Sequence, residues 1–363
     1  MGNKSVGIRA VAWSAPTQVR GNDHWREHHP ELVASAEQHS LAKVWARREA
    51  ETPNLFDALM EPYLADPFRG AVERRILGPD ESGLTMEVDA AKRALAAAKF
   101  SPSEVDLVLV SSFLPDQFGP GNAAYLVREL GLRCPGVNVE SACSSALVSM
   151  DMAIAMIQAG RCRNALIVVS CSYSRMAPET DTLAWFLGDG AGALLIGEVP
   201  EGEGWLATHT IHTAQTCGTF RLDLEQDPLG RMFARMKASK DTAKIINEVG
   251  EPYLRECCFG ALAKAGLRIT DVDFLVANTP TAWYAEFAAQ AIGLDPSKTI
   301  STYERFANTG TALIPMGLHA AAAQGKIRPG DRVLLYAVGS VSTAIASVFR
   351  WGEVALGTTQ GLS

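Results

Sequence analysis

AKRALAAAKFSPSEVDLVLVSS (residues 91–112) and FGALAKAGLRITDVDFLVANT (259–279) read as two copies of one unit: an alanine-rich helix, a polar turn, an acidic residue, then a buried strand. Aligning Val105-Asp106 with Val272-Asp273 sets the offset between copies at 167 residues. At almost the same offset RNALIVVS (163–170) falls on DRVLLYA (331–337), each a short apolar strand that follows an alanine-rich helix (149–159 and 314–324). Two matches at one offset identify an internal duplication, which fixes architecture more firmly than local propensity does.

Each half therefore reads as strand, helix, strand, helix, strand, and alternation of that kind predicts a sheet covered by helices. Two such sheets sharing a central helix layer give an α/β protein of five layers, αβαβα. The division falls at about residue 198, with one half in 1–198 and the other in 199–363. Two segments lie outside the repeat: one at about 30–70, helical by pattern, and one at about 215–250, also read as mostly helical and partly basic. Insertions of this kind cap a pocket or build an interface.

A chain of 363 residues has enough apolar material for two packed halves and an enclosed pocket. Its net charge of −7, with no strongly basic cluster, argues against nucleic acid as a partner. No apolar run reaches the roughly 18 to 20 residues of a membrane span, and the first residues lack a signal-peptide core. Seven cysteines without a CxxC pair or Cys/His metal spacing suit free thiols in a reducing, cytoplasmic setting, with no metal expected.

One cysteine stands apart. In NVESACSSALVSMDMAIA (138–155), Cys143 follows the short strand GVNVE (136–140) and sits where a helix opens near Ser144. Free N–H groups and the partial positive charge at a helix start favour thiolate over thiol. The neighbours Ser141, Ala142, Ser144, Ser145 and Ala146 are small enough to admit a substrate, although cysteine also serves as a small core residue. FLGDGAGALLIG (186–197) is glycine-rich but leads into a strand, so it is not a dinucleotide cradle; its glycines suit close backbone packing beside a pocket. ERFANTGTALIP (304–315) sets Asn308 just before the helix that the duplication pairs with the Cys143 helix.

SACSSA, FLGDGAGA, ANTG and AVGSVS (337–342) together resemble β-ketoacyl-acyl carrier protein synthase III and its relatives in the thiolase superfamily, nearly from end to end. The resemblance implies the thiolase fold, a homodimer, and acyl transfer through Cys143 from an acyl carrier protein or coenzyme A thioester, with no cofactor beyond that substrate. It implies an oxyanion hole from the backbone of Cys143, Gly339 and Ser340. Asn308 matches the family's asparagine, and Trp283, Thr279 and Phe306 are substrate-binding candidates beside the matched motifs. For carrier docking the candidates are Arg231, Arg235 and Lys237, with Lys240, Lys244, Arg74 and Arg75 as further basic positions, since Trp283-Tyr284 stands where the family often has an arginine.

The family's third residue is a histidine 30 residues before the asparagine; here that place holds Asn278. An amide donates and accepts hydrogen bonds but cannot act as a base. Three readings follow: an acyltransferase of polyketide-type secondary metabolism that passes an acyl group, other than aminoacyl, to a small-molecule amine, hydroxyl or carbon acceptor; a decarboxylative carbon–carbon condensing enzyme with Asn278 in the histidine's place; or a silent partner subunit.

Overall fold

The computed structural model describes residues 5–39 and 53–358. The first half runs β1 (Val6–Ser14), β2 (Gln18–Gly21), α1 (Asn22–His28), α2 (Pro30–His39), α3 (Leu55–Met60), β3 (Glu73–Ile76), α4 (Gly83–Ala97), β4 (Leu107–Phe113), α5 (Asn122–Glu129), β5 (Gly136–Asn138), α6 (Ser145–Gln158), β6 (Ala165–Cys171) and β7 (Gly190–Glu198). The second runs β8 (Gly204–His212), β9 (Phe220–Gln226), β10 (Met232–Ala238), α7 (Thr242–Lys264), β11 (Phe274–Ala277), α8 (Tyr284–Ile292), α9 (Tyr303–Phe306), α10 (Leu313–Ala323), β12 (Arg332–Val338), β13 (Thr343–Arg350) and β14 (Ala355–Leu356).

Two sheets form the body, ordered β14-β1-β7-β6-β4-β5 and β11-β12-β13-β8. Their parallel strands are apolar throughout because both faces are covered. Leu107 and Leu109 of β4 face the central core with α6 and α10, whereas Val108 and Val110 face the outer core with α4 and α5. In the second half Phe274 and Val276 of β11 join the central core, and Leu275 and Ala277 pack outward with α7 and α8. The five-layered thiolase-type arrangement follows directly.

The duplication is visible bond by bond. Lys99 (φ +52°) and Gly266 (φ +67°) end α4 and α7 in the same left-handed conformation. Just beyond, Phe100 N–H donates to Leu95 O and Leu267 N–H to Leu262 O, each at 2.9 Å. The shared acidic residue has one purpose in both copies: Asp106 Oδ2 accepts from Asn164 N–H at 3.0 Å and Asp273 Oδ2 from Arg332 N–H at 2.8 Å, each tying the next parallel strand into place.

The insertions differ from expectation. The first contributes α2, α3 and a 3-10 turn at Glu61–Tyr63, while residues 40–52 of that segment lie outside the described residues. The second is not mostly helical: residues 220–238 form the antiparallel hairpin β9–β10, and helix begins only at Thr242. The alternation in RLDLE and the Asp227-Pro-Leu-Gly230 turn explain it, since period-two patterning with a Pro/Gly turn specifies a hairpin. Among the described residues no helix is long and apolar enough to cross a membrane.

Candidate active site

Small side chains set the position of Cys143. Ser141 N–H donates to Ser145 Oγ at 2.8 Å, Ser144 Oγ to Ser141 O at 2.7 Å, and Ser145 Oγ to Ala142 O at 2.8 Å, so the serines of SACSSA bind the loop to its own backbone. Ala142 takes φ +45°, a conformation L-residues avoid, which turns the chain sharply before the nucleophile candidate. A single 3-10 turn, Ala142–Ser144, leads into α6. The two helix starts meet as expected: Ala146 N–H donates to Thr311 Oγ1 at 3.1 Å.

Cys143, Asn278, Asn308, Gly339 and Ser340 all line one cavity. Beyond this polar end its wall is apolar: Phe56 of α3, Phe186 and Leu187, Phe220 and Met236 of the hairpin, Ile246, Val249 and Tyr253 of α7, and Phe287 of α8. Both insertions therefore shape the cavity. The α7 positions are spaced three and four apart, so one helical face is presented to it.

The backbone of Asn308 is fixed from both sides: its N–H donates to Phe186 O at 2.9 Å, and its carbonyl accepts from Gly188 N–H at 3.0 Å. Its Oδ1 accepts from Gly310 N–H at 2.8 Å, which leaves the amide N–H groups as the donors for the cavity. A Cβ on Gly188 would collide with Phe306 O and one on Gly192 with Pro315, so the glycines serve close packing. Asn278 extends the β11–β12 ladder with its side chain: Val338 N–H donates to Oδ1 at 3.2 Å and Nδ2 donates to Val338 O at 3.5 Å.

Three sequence expectations are corrected here. Burial pushes the Cys143 thiol up to about 11, against the lowering expected at a helix start, with a Tyr173 hydroxyl hydrogen bond partly opposing the rise. Gly339 N–H donates to Thr343 O at 3.2 Å and is not free for an oxyanion. Its lack of a side chain matters instead, because a Cβ there would lie 2.6 Å from Ser141 O. The N–H groups of Cys143 and Ser340 donate to no other residue's backbone carbonyl in the turns and loops of the described residues. Finally, Trp283, Thr279 and Phe306 do not line the cavity. Trp283 is buried behind Phe56, with ring centroids 5.7 Å apart, and Phe306 turns away to meet Trp13 at 5.2 Å.

The basic candidates are largely neutralised. Arg231 pairs with Asp227 at 2.6 Å, Arg235 with Glu225 at 3.6 Å, and Lys237 with Glu225 at 2.5 Å, a cross-strand ladder rather than a free positive patch. Arg74 is fully buried, its guanidinium 4.7 Å from the Trp25 ring. None of the described histidine side chains lines the cavity. His24 and His29 gather instead on Glu179, at 2.9 and 3.5 Å, with Arg20 on the other carboxylate oxygen at 2.6 Å.

Tyr173 and Cys171 escaped the sequence reading. Tyr173 lines the cavity, and its hydroxyl lies close to the Cys171 sulfur, since a Cβ on Gly310 would come 2.6 Å from Tyr173 Oη and closer still to Cys171 Sγ. The available signal was positional: both lie at the carboxyl end of β6, the edge of a parallel sheet where ligands bind.

The family described as 3-oxoacyl-[acyl-carrier-protein] synthase III matches residues 137–214, and its C-terminal counterpart matches 262–351. The chain is 31% identical over 286 residues to β-ketoacyl-[acyl-carrier-protein] synthase III 1 of Bacillus anthracis, covering 78% of this chain and 88% of the relative. It is 30% identical over 289 residues to the β-ketoacyl-[acyl-carrier-protein] synthase III of Sphingopyxis alaskensis, covering 76% and 86%. The priming β-ketosynthase of the R1128 polyketide biosynthetic pathway superposes with a TM-score of 0.78 at 20% identity, over 96% of this chain and 97% of that one.

Proposed function

The chain belongs to the 3-oxoacyl-[acyl-carrier-protein] synthase III family, and on that premise we propose that it is an acyltransferase of polyketide-type secondary metabolism working through a Cys143 thioester. The observation that carries this reading is the cavity itself: Cys143, Asn278 and Asn308 share one polar end, no histidine lines it among the described residues, and its walls are apolar. Attack of the Cys143 sulfur on a carrier or coenzyme A thioester forms the acyl-enzyme and releases the donor thiol. The developing oxyanion falls to the N–H groups of Cys143 and Ser340. An amine acceptor that arrives neutral then takes the acyl group without a protein base. The apolar wall fits a hydrophobic acyl chain, and the reaction needs no cofactor beyond its thioester substrate.

Carbon–carbon condensation is the second reading, supported by the amide donors of Asn308 and Asn278, which would face the carbonyl of an extender as an enolate develops. A homodimer accompanies either reading: β5 is an edge strand whose Val137 is 46% exposed. Seven unpaired thiols fit a cytoplasmic setting.

The test is intact mass after incubation with a panel of acyl-coenzyme A and acyl-carrier thioesters, followed by peptide mapping. An adduct on Cys143 is expected, largest for hydrophobic chains. No adduct from any donor on folded protein rejects the transferase reading in favour of a silent subunit.

A further inference from the structure

We propose that His24, His29 and Glu179 form a zinc site outside the cavity, clasping α1 to the loop that precedes β7. Among the described residues this is where three metal-ligating side chains each bring one donor atom within 4.8 Å of the others. None of the three lines the cavity, so the inference stands whether or not Cys143 carries an acyl group.

His24 lies on α1, and His29 ends that helix, its N–H donating to Trp25 O at 2.8 Å. Both rings turn Nε2 to the same oxygen: Glu179 Oε2 is 2.9 Å from His24 and 3.5 Å from His29. A tetrahedral Zn²⁺ with bonds of about 2.0–2.2 Å holds its ligand atoms about 3.3–3.6 Å apart. The His29 separation already matches that edge, and the His24 ring has only about 0.4 Å to give. Two imidazole nitrogens and a carboxylate oxygen are a donor set that zinc accepts. The three side chains are 26–37% exposed, so water reaches the fourth position.

Outer contacts already orient these ligands, as the second partners of metal ligands do. Arg20 Nη2 binds the other carboxylate oxygen, Oε1, at 2.6 Å and keeps Oε2 toward the rings. Trp25 Nε1 donates to Glu179 O at 3.1 Å and fixes the loop. The His24 ring stacks on His28 at 4.5 Å and meets Trp25 edge-on at 5.4 Å. To bind, each ring carries its proton on Nδ1 and offers the Nε2 lone pair to the metal. The Arg20 cation offsets the carboxylate's charge, which makes this an exchangeable site and not a permanent cage. Glu179 shares its loop with Leu183, Phe186 and Leu187, which line the cavity, so a bound ion would stiffen one cavity wall.

The test is a Co²⁺ titration of the full-length chain after a chelator has stripped it, because Co²⁺ reports its ligands. Nitrogen and oxygen donors give weak visible bands, whereas thiolates add a strong near-ultraviolet charge-transfer band. The first equivalent should show visible bands alone; Zn²⁺ should displace it and raise the temperature of thermal unfolding. His24→Ala, His29→Ala and Glu179→Gln should each weaken binding by about tenfold or more, while Cys143→Ala binds as the parent does. No binding by the parent, a charge-transfer band in the first equivalent, or parental affinity in all three ligand variants overturns the site and leaves the trio as a hydrogen-bonded ion cluster. If those variants do not fold, zinc-edge X-ray absorption of the parent decides: imidazole nitrogen and oxygen in the first shell are expected, and sulfur there overturns the proposal.

Discussion

The two halves present their site residues by the same backbone device and then treat them oppositely. In the first, Ala142 (φ +45°) precedes Cys143, a 3-10 turn follows, and α6 begins; in the second, Ala307 (φ +52°) precedes Asn308, the turn Gly310–Ala312 follows, and α10 begins. Each alanine in that region costs about 1–3 kcal/mol, so both turns are held by their surroundings. Asn308 is then locked by bonds to Phe186, Gly188 and Gly310, whereas Cys143 is a half-buried residue whose side chain lines the cavity. One frame was duplicated, and its two ends diverged: one presents a thiol to the cavity and the other an amide held by its own backbone.

Removing the proposed nucleophile has the largest expected effect. Cys143→Ala should abolish the acyl adduct by mass while thermal unfolding stays close to that of the parent, because the change removes a single atom from the wall of a cavity and keeps the Cβ. A persisting adduct would move the nucleophile elsewhere. Asn308→Ala should lower the acyl-transfer rate constant by about 10²–10³, the range for loss of one oriented donor. If it lowered stability alone, the second half would be a scaffold and the contrast with Cys143 would lose its chemical meaning.

Asn278→His tests the imidazole that the family resemblance implies at this position. The expected result is a rise of up to about 10² in condensation with a malonyl thioester, measured by product formation, together with faster Cys143 alkylation near neutral pH. No rise would show that the Val338 ladder holds position 278 away from the reacting atoms.

Much of this was legible in sequence because duplication leaves a long-range signal that local propensity does not. The Val-Asp pair fixed the offset, and the structure gives it a reason, since both aspartates tie down the following strand. The count of 30 residues from Asn308 placed Asn278 in the cavity. The hairpin at 220–238 was hidden because its charges resemble a solvated helix face until the alternation is weighed with the Pro/Gly turn. The orientation of Trp283 and Phe306 was illegible for another reason: an aromatic side chain near a motif packs inward or outward according to partners such as Phe56 and Trp13, which sequence neighbourhood does not reveal. Tyr173 lay in no motif at all.

The smallest predicted effect probes the comparison away from the cavity. At the 167-residue offset Glu87 of α4 corresponds to Leu254 of α7, and both are fully buried. The leucine fills core. Glu87 instead accepts from Ser112 and Ser170 hydroxyls at 2.6 Å each and from Asn122 Nδ2 at 2.9 Å, fastening β4 and β6 to the start of α5. Burial is the main reason its carboxyl is pushed up to about 7, with the hydroxyl and amide donors opposing and the nearby Asp116 adding to the rise. Because the folded state holds this proton more tightly than the unfolded chain, its stabilising contribution is complete below about pH 4.5 and is lost as pH rises through about 7. The swing is on the order of 3 kcal/mol at most. Asp189, pushed up to about 6 by burial, adds a slope of the same sign, so the difference between parent and variant isolates Glu87. Chemical denaturation across this range should show Glu87→Gln losing less stability with rising pH than the parent. Identical slopes would mean that the buried acid is already neutral or already compensated at all these pH values, and that the first half differs from the second at this position in shape alone.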